Sequence, residues 1–189
     1  MSLTSAAQLA ELETRLHGLR AEIRAARAAQ PPEPVAEYRF ATLHGSVALS
    51  DLFGAQDDLF VIHNMGRTCS YCTLWADGFN GLYPHIASRA AFVVVSPDTP
   101  EQQRSFAADR GWRFPMASDD GTGFAADMGY IGAKGGRTPG ISAFRRGANG
   151  IVRLADTAMG PGDDFCPLWH FLDLLPEGAN GWSPRFRYA

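Results

Sequence analysis

Leu9, Leu12, Leu16, Leu19 and Ile23 recur at alternating spacings of three and four, which lays a stripe of apolar side chains along one side of an α-helix. Ser5 and Gln8 are spaced as a capping box at its start, and Pro31, Pro32 and Pro34 end it. The chain therefore begins with an amphipathic helix over 1–30 and a proline-rich linker over 31–37. Arg15, Arg20, Arg24 and Arg27 form the solvated side of that helix. Its stripe can lie on the chain's own domain or pair with the same helix of a second copy as a short coiled-coil seam. Two heptads are few for a coiled coil, so docking on its own domain is the simpler expectation and a homodimer through this helix is the alternative.

Beyond the linker, over 38–189, the pattern changes to short apolar runs alternating with helical periods. The runs over 38–43 and 47–49 flank Gly45 and predict a hairpin, and the run over 59–65 predicts the first buried strand. Leu74, Trp75, Phe79, Leu82 and Ile86 predict a helix over 73–88, which Pro84 is expected to kink or shorten. A strand follows over 91–96. Thr99, Pro100 and Gln102 then supply the capping residue, first-turn proline and third-position partner of a helix running to about residue 110. A short strand over 112–117, a short helix over 123–128, a hairpin over 141–155 turning at 147–150, and a helix over 165–175 complete the order. Strands alternating with helices imply an α/β protein with a mainly parallel sheet covered on both faces. The closing hairpin makes the sheet mixed.

Composition narrows the function classes. With 189 residues, 46% of them hydrophobic and 20% charged, the chain has enough apolar surface to fold without metal or disulfides. The formal net charge of −3 and the scattered basic residues argue against a nucleic-acid partner. No apolar run approaches the roughly 20 residues of a membrane span, and the first 30 residues lack the continuous apolar core of a secretory signal, so a cytoplasmic location is expected. Three cysteines are too few for a disulfide framework, and in a reducing compartment a close pair serves catalysis or metal binding.

The close pair is Cys69-Ser70-Tyr71-Cys72, set between the first buried strand and the next helix. A Cys-x-x-Cys in that place is a redox signature, because a sulfur at a helix N-terminus faces unpaired backbone N–H groups and the positive end of the helix dipole, which favour thiolate. Zinc is the competing chemistry, with Cys166 and His170 as the remaining ligands. A Cys-x-x-x-His pair on one helix is an uncommon second half for a zinc site, so no metal is expected and Cys166 reads as a small buried apolar residue. Trp75, Trp112, Trp169 and Trp182 fit core packing, and Trp75 is the one placed to reach the cysteines. The stretch over 132–136 lacks the spacing of a phosphate loop and reads as a flexible loop.

With these residues in view, the chain resembles the thioredoxin superfamily. The run Leu52-Phe53, the strand over 59–65, Cys-Ser-Tyr-Cys, Trp75-Ala76-Asp77, Val95-Ser96, the stretch over 111–115 and Pro139-Gly140-Ile141-Ser142 are similar to a bacterial family of unknown function with a thioredoxin-like domain, over about 38–176. The resemblance implies a thioredoxin-like fold with an additional N-terminal helix and no organic cofactor. It implies Cys69 as attacking thiolate and Cys72 as resolving thiol, with a protein or small-molecule thiol or disulfide as substrate. It also implies that Pro139, in the cis form, faces the dithiol and that Thr138 offers its backbone to an extended substrate. His63 stands where thioredoxins keep a buried carboxylate and is the candidate proton relay, with a hydrogen-bonded core histidine as the plainer alternative. Arg67 is the candidate for added positive charge beside Cys69, or an exposed loop arginine. A thiol peroxidase is a second enzymatic option, although Gly66 stands where peroxiredoxins need threonine, and Arg137 would take the part of their downstream arginine. A non-catalytic binding module with an idle dithiol is the competing class.

Overall fold

The computed structural model describes residues 3–188. Eight strands, β1 (Glu33–Val35), β2 (Arg39–Thr42), β3 (Gly45–Ala48), β4 (Asp58–His63), β5 (Ala91–Ser96), β6 (Met116–Ser118), β7 (Gly140–Gly147) and β8 (Gly150–Ala158), form one mixed sheet in the order β1-β8-β7-β4-β5-β6-β2-β3. Its centre is β4 (Asp58–His63), β5 (Ala91–Ser96) and β6 (Met116–Ser118), all parallel, and these are the apolar runs that only a sheet covered on both faces can bury. β7 (Gly140–Gly147) lies antiparallel on β4, and β8 (Gly150–Ala158) on β7. The first hairpin, β2 (Arg39–Thr42) and β3 (Gly45–Ala48), extends the other edge through β6.

Alternation along the strands divides the core in two. Leu59, Val61, Val93 and Val95 point to one face, where they meet Phe40, Phe53, Phe144 and Phe124, the last from the short helix α4 (Phe124–Asp127). Ile62, Phe92 and Val94 point to the other face and meet Trp75, Ala76 and Phe79 of helix α2 (Ser70–Ala87) and Trp169 of helix α5 (Pro167–Leu172). Helix α3 (Pro100–Arg110) starts as its sequence predicts. Thr99 caps it by accepting from the Gln102 N–H, Gln102 returns the bond, and Gly111 ends it in the left-handed conformation.

Several expectations are corrected. α2 runs three residues beyond Pro84 to Ala87 without being cut short at the proline. The last helix is six residues, shorter than the 165–175 expected, because Pro167 sits at its first turn and turns occupy 173–181. Three linker residues form a strand, β1 (Glu33–Val35), at the edge of the sheet against β8. Pro34 is tolerated there because an edge strand needs only one side of its backbone, and Arg153 pins the register by an ion pair to Glu33 at 2.6 Å. The N-terminal helix α1 (Leu3–Ala29) does not bury its stripe on its own domain. Leu9 through Ile23 of the stripe all remain exposed. No helix among the described residues is long and apolar enough to cross a membrane.

Candidate active site

The parallel strand β4 ends at His63, and the chain then makes a six-residue connection, 64–69, before α2 begins. Two side chains shape that connection. Asn64 accepts from the Gly66 N–H at 2.8 Å, and Asp98, at the C-terminal end of β5, accepts from the Arg67 N–H at 2.7 Å. Gly66 is held at φ 104, in the left-handed half of backbone space, and an added Cβ would meet the Asp98 carboxylate at 3.1 Å. Position 66 therefore takes no threonine at low cost. The turn places Cys69 as the N-cap of α2, with its N–H bonded to the Gly66 carbonyl at 3.1 Å.

The two sulfurs then differ in kind. Cys69 is half-buried and accepts from the Cys72 backbone N–H at 3.1 Å, the bond an N-cap oxygen would normally make. The Cys72 thiol also donates toward it, and together with the backbone N–H groups of Cys72 and Tyr71 this brings its pKa down to about 6 despite some desolvation. Cys72 is 1% exposed. The neighbouring Cys69 sulfur and burial both hold its thiol far above the usual range, partly opposed by the Met65 N–H, which reaches its sulfur at 3.4 Å. The pair is free and reduced: one accessible thiolate above one buried thiol.

The other predicted residues distribute differently. Pro139 does precede the strand beside β4, since Gly140 pairs with His63 and the Pro139 carbonyl accepts from Met159 at 3.0 Å. Its peptide bond is trans, as are all peptide bonds among the described residues, which corrects the cis form that the resemblance implied. Thr138 donates its N–H to the Tyr130 carbonyl at 2.9 Å, so its C=O, not its N–H, is the group it can offer a ligand. Gly140 is obligatory: a Cβ there would overlap the Tyr130 ring.

His63 is corrected as a relay near neutral pH. It is 3% exposed, stacks on Tyr130 with ring centroids 3.7 Å apart, and places Nε2 2.9 Å from Ser142 Oγ. Burial first, then the positive charges of Arg137 and Arg153, lower its pKa to about 3, so the ring is neutral at physiological pH. Trp75 is likewise a core residue, 2% exposed, with its indole N–H on Asp163 at 3.3 Å. The Arg67 side chain leans toward Asp98, Nε to Oδ1 3.7 Å, and takes no part in lowering the Cys69 pKa. Arg137 pairs with the fully buried Asp119 at 2.8 Å. Cys166 lies in the second core cluster and His170 sits 3.3 Å from Asp164. Among the described residues no three His, Cys, Asp or Glu side chains gather as a metal site. Sequence reasoning missed Asn64 and Asp98. The only signal for them was Gly66, a glycine between a strand and a catalytic-looking pair.

With this geometry established, the chain can be set beside known proteins. The family model described as bacterial protein of unknown function (DUF899) matches residues 3–186. No curated protein matches the chain. Among solved structures, peroxidoxin BcpB from Mycobacterium tuberculosis is 22% identical with a TM-score of 0.55, covering 67% of this chain and 84% of its own. The peroxiredoxin-like protein from Aquifex aeolicus is 20% identical with a TM-score of 0.52, covering 68% of this chain and 75% of its own. Reduced Prx3 from Vibrio vulnificus is 13% identical with a TM-score of 0.56, covering 71% and 89%. At these identities the likeness is one of fold, and that fold is thioredoxin-like.

Proposed function

We propose, for a chain that belongs to the DUF899 family of bacterial proteins of unknown function, a thiol–disulfide oxidoreductase activity centred on Cys69 and Cys72. The observation that carries it is the Cys69 sulfur: half-buried, capped by the Cys72 N–H at 3.1 Å, with a pKa of about 6, so that roughly nine in ten copies are thiolate at pH 7. The thiolate attacks one sulfur of a substrate disulfide. A mixed disulfide forms, and the other substrate sulfur leaves as thiolate and takes a proton from water. Once Cys69 is bound in that disulfide it carries no charge, so the largest influence raising the Cys72 pKa disappears. Cys72 then loses its proton and attacks Cys69, which releases the second substrate thiol and leaves Cys69–Cys72 oxidised by two electrons. This sequence needs no imidazolium, in keeping with a neutral His63.

Dithiothreitol-driven insulin reduction tests the activity. Wild type accelerates it, Cys69→Ser abolishes the acceleration, and Cys72→Ser accumulates mixed disulfides that a non-reducing gel displays. Equal behaviour of all three proteins ends the proposal. A thiol peroxidase is the second reading, supported by peroxiredoxin structures among the fold neighbours. There Cys69 would attack a peroxide oxygen, giving a sulfenic acid and an alcohol or water, and Cys72 would condense with it and expel water. Against it stands Gly66, whose positive φ excludes the threonine those enzymes use. Stoichiometric peroxide loss within seconds of mixing, with insulin untouched, would reverse the order of the two.

A further inference from the structure

The leucine stripe of α1 is the largest feature that the dithiol leaves unused. Leu9, Leu12, Leu16, Leu19 and Ile23 are each between 47% and 52% exposed. α1 touches the rest of the chain mainly near β8 and through an Arg20–Asp164 ion pair at 2.6 Å, whose two side chains are both exposed and which therefore contributes little. A 27-residue helix that buries no face rests on its own propensity alone, whereas most helical stability in proteins comes from packing an amphipathic face. An apolar seam confined to two positions per heptad is what a coiled coil buries, and a wider stripe would be needed to lie on a globular core.

We propose that α1 joins two copies of this chain as an antiparallel helix pair, with a two-fold axis passing between His17 and Gly18. Leu9, Leu16 and Ile23 occupy the a positions, and Leu12, Leu19 and Ala26 the d positions. An antiparallel seam pairs a with d. Leu16 then meets Leu19 of the second copy, Leu12 meets Ile23, and Leu9 meets Ala26, so the seam is filled from end to end and repeats itself about the axis.

Charge selects this orientation over the parallel one. Arg15 and Glu22 flank the seam on one side, and Glu13 and Arg20 on the other. Antiparallel helices bring like flanks together, so Arg15 faces Glu22 of the second copy and Glu13 faces Arg20 of the second copy, each twice by symmetry. All four contacts are attractive. A parallel pair would instead set Arg15 against Arg20 of the second copy on both sides and keep only the Glu22–Arg27 contacts attractive, two repulsive contacts against two attractive ones. Glu13, Arg15 and Glu22 have no ion-pair partner within the chain among the described residues. The position of the domain agrees. The chain leaves α1 at its C-terminal end for β1, so antiparallel helices lead into the two domains at opposite ends where parallel ones would lead into both at the same end.

Sedimentation equilibrium of the full-length protein tests the proposal. The expected mass is twice that of the 20.5 kDa chain. Leu16→Asp combined with Leu19→Asp should give a monomer that keeps the wild-type alkylation profile of Cys69, which shows the domain intact. Arg15→Glu sets like charges together at both symmetry-related contacts and should weaken the dimer about tenfold, with Arg15→Glu/Glu22→Arg restoring it. In a parallel pair Arg15→Glu would tighten the dimer. A monomer at every soluble concentration, a dimer indifferent to the paired aspartates, or a tighter dimer from Arg15→Glu each overturns the proposal.

Discussion

Cys69 and Cys166 occupy the same place in two helices and meet opposite fates. Each is the N-cap residue of a helix that packs on the same face of the sheet, α2 and α5. Cys69 accepts a hydrogen bond from the N–H three residues on and titrates at about 6. Cys166 is 4% exposed, closes no side-chain capping bond, and has its pKa raised, first by burial, with Asp163 adding to the effect and the amides of Leu168 and Trp169 opposing it. A helix N-terminus alone therefore does not make a thiolate. Amides act on both sulfurs, so what separates them is partial exposure and a second thiol three residues along that donates to Cys69. α5 has its own acceptor in that role: the Asp163 carboxylate takes the N–H groups of Phe165 and Cys166 at 2.9 and 3.1 Å, so the anion at that helix start is already an aspartate.

The largest difference this comparison predicts lies in alkylation. In the native reduced protein, iodoacetamide should modify Cys69 with a rate that rises through pH 6 and levels off by about pH 7.5, because the reactive species is the thiolate. Cys166 and Cys72 should stay unmodified over that range until the protein is denatured. Peptide mapping after a short pulse reads all three sites at once. Labelling of Cys166 alongside Cys69 would erase the distinction.

How much of this was legible in the sequence follows from what each feature depends on. The parallel core strands, the Thr99 cap and the two hairpins rest on local patterns, apolar runs and turn residues, and these were readable. So was the placement of Cys69 and Cys72, since a strand, a short connection and a helical period bracket them. β1 was not, because Pro34 removes a backbone donor and only the pairing with β8 and the Glu33–Arg153 contact make a strand there. The state of His63 was not legible either. Its position on β4 follows from alternation, but its pKa comes from burial, in part under the Tyr130 ring, and then from the charges of Arg137 and Arg153, and these residues lie 67 to 90 positions further along the chain. The isomer of Pro139 and the role of Asp98 are of the same kind, fixed by tertiary contact and not by neighbours in sequence.

A medium effect should come from the second thiol. Its hydrogen bond is the largest influence lowering the Cys69 pKa, whereas the backbone N–H of residue 72 remains whatever the side chain. Cys72→Ala should raise the Cys69 midpoint from about 6 by about one to two units, leaving it below the usual thiol value because the helix amides persist. Cys72→Ser keeps a hydroxyl donor in the same place and should stay near the wild-type midpoint. The absorbance of thiolate at 240 nm, followed against pH with Cys166 replaced by alanine, isolates Cys69. If the alanine and serine variants titrate together, the helix terminus does more than the second thiol, and the contrast with Cys166 needs another cause.

The smallest effect should come from the residue whose charge looks most suggestive in the sequence. Arg67 lies two positions before Cys69, yet its side chain is 48% exposed and its nearest carboxylate, Asp98, is 3.7 Å away. An exposed charge already leaning on an opposite one exerts little field on a neighbour through water. Arg67→Ala should therefore move the Cys69 midpoint by less than about half a unit. The backbone N–H of residue 67 still bonds Asp98 in that variant, so the turn that aims Cys69 at its helix is preserved. Asp98→Ala removes that anchor, and a negative charge with it, and should broaden the distribution of Cys69 reactivity. A large upward shift in Arg67→Ala would mean that the side chain swings from Asp98 to the sulfur. Cys69 would then differ from Cys166 by a neighbouring cation as well as by the hydrogen bonds at its helix.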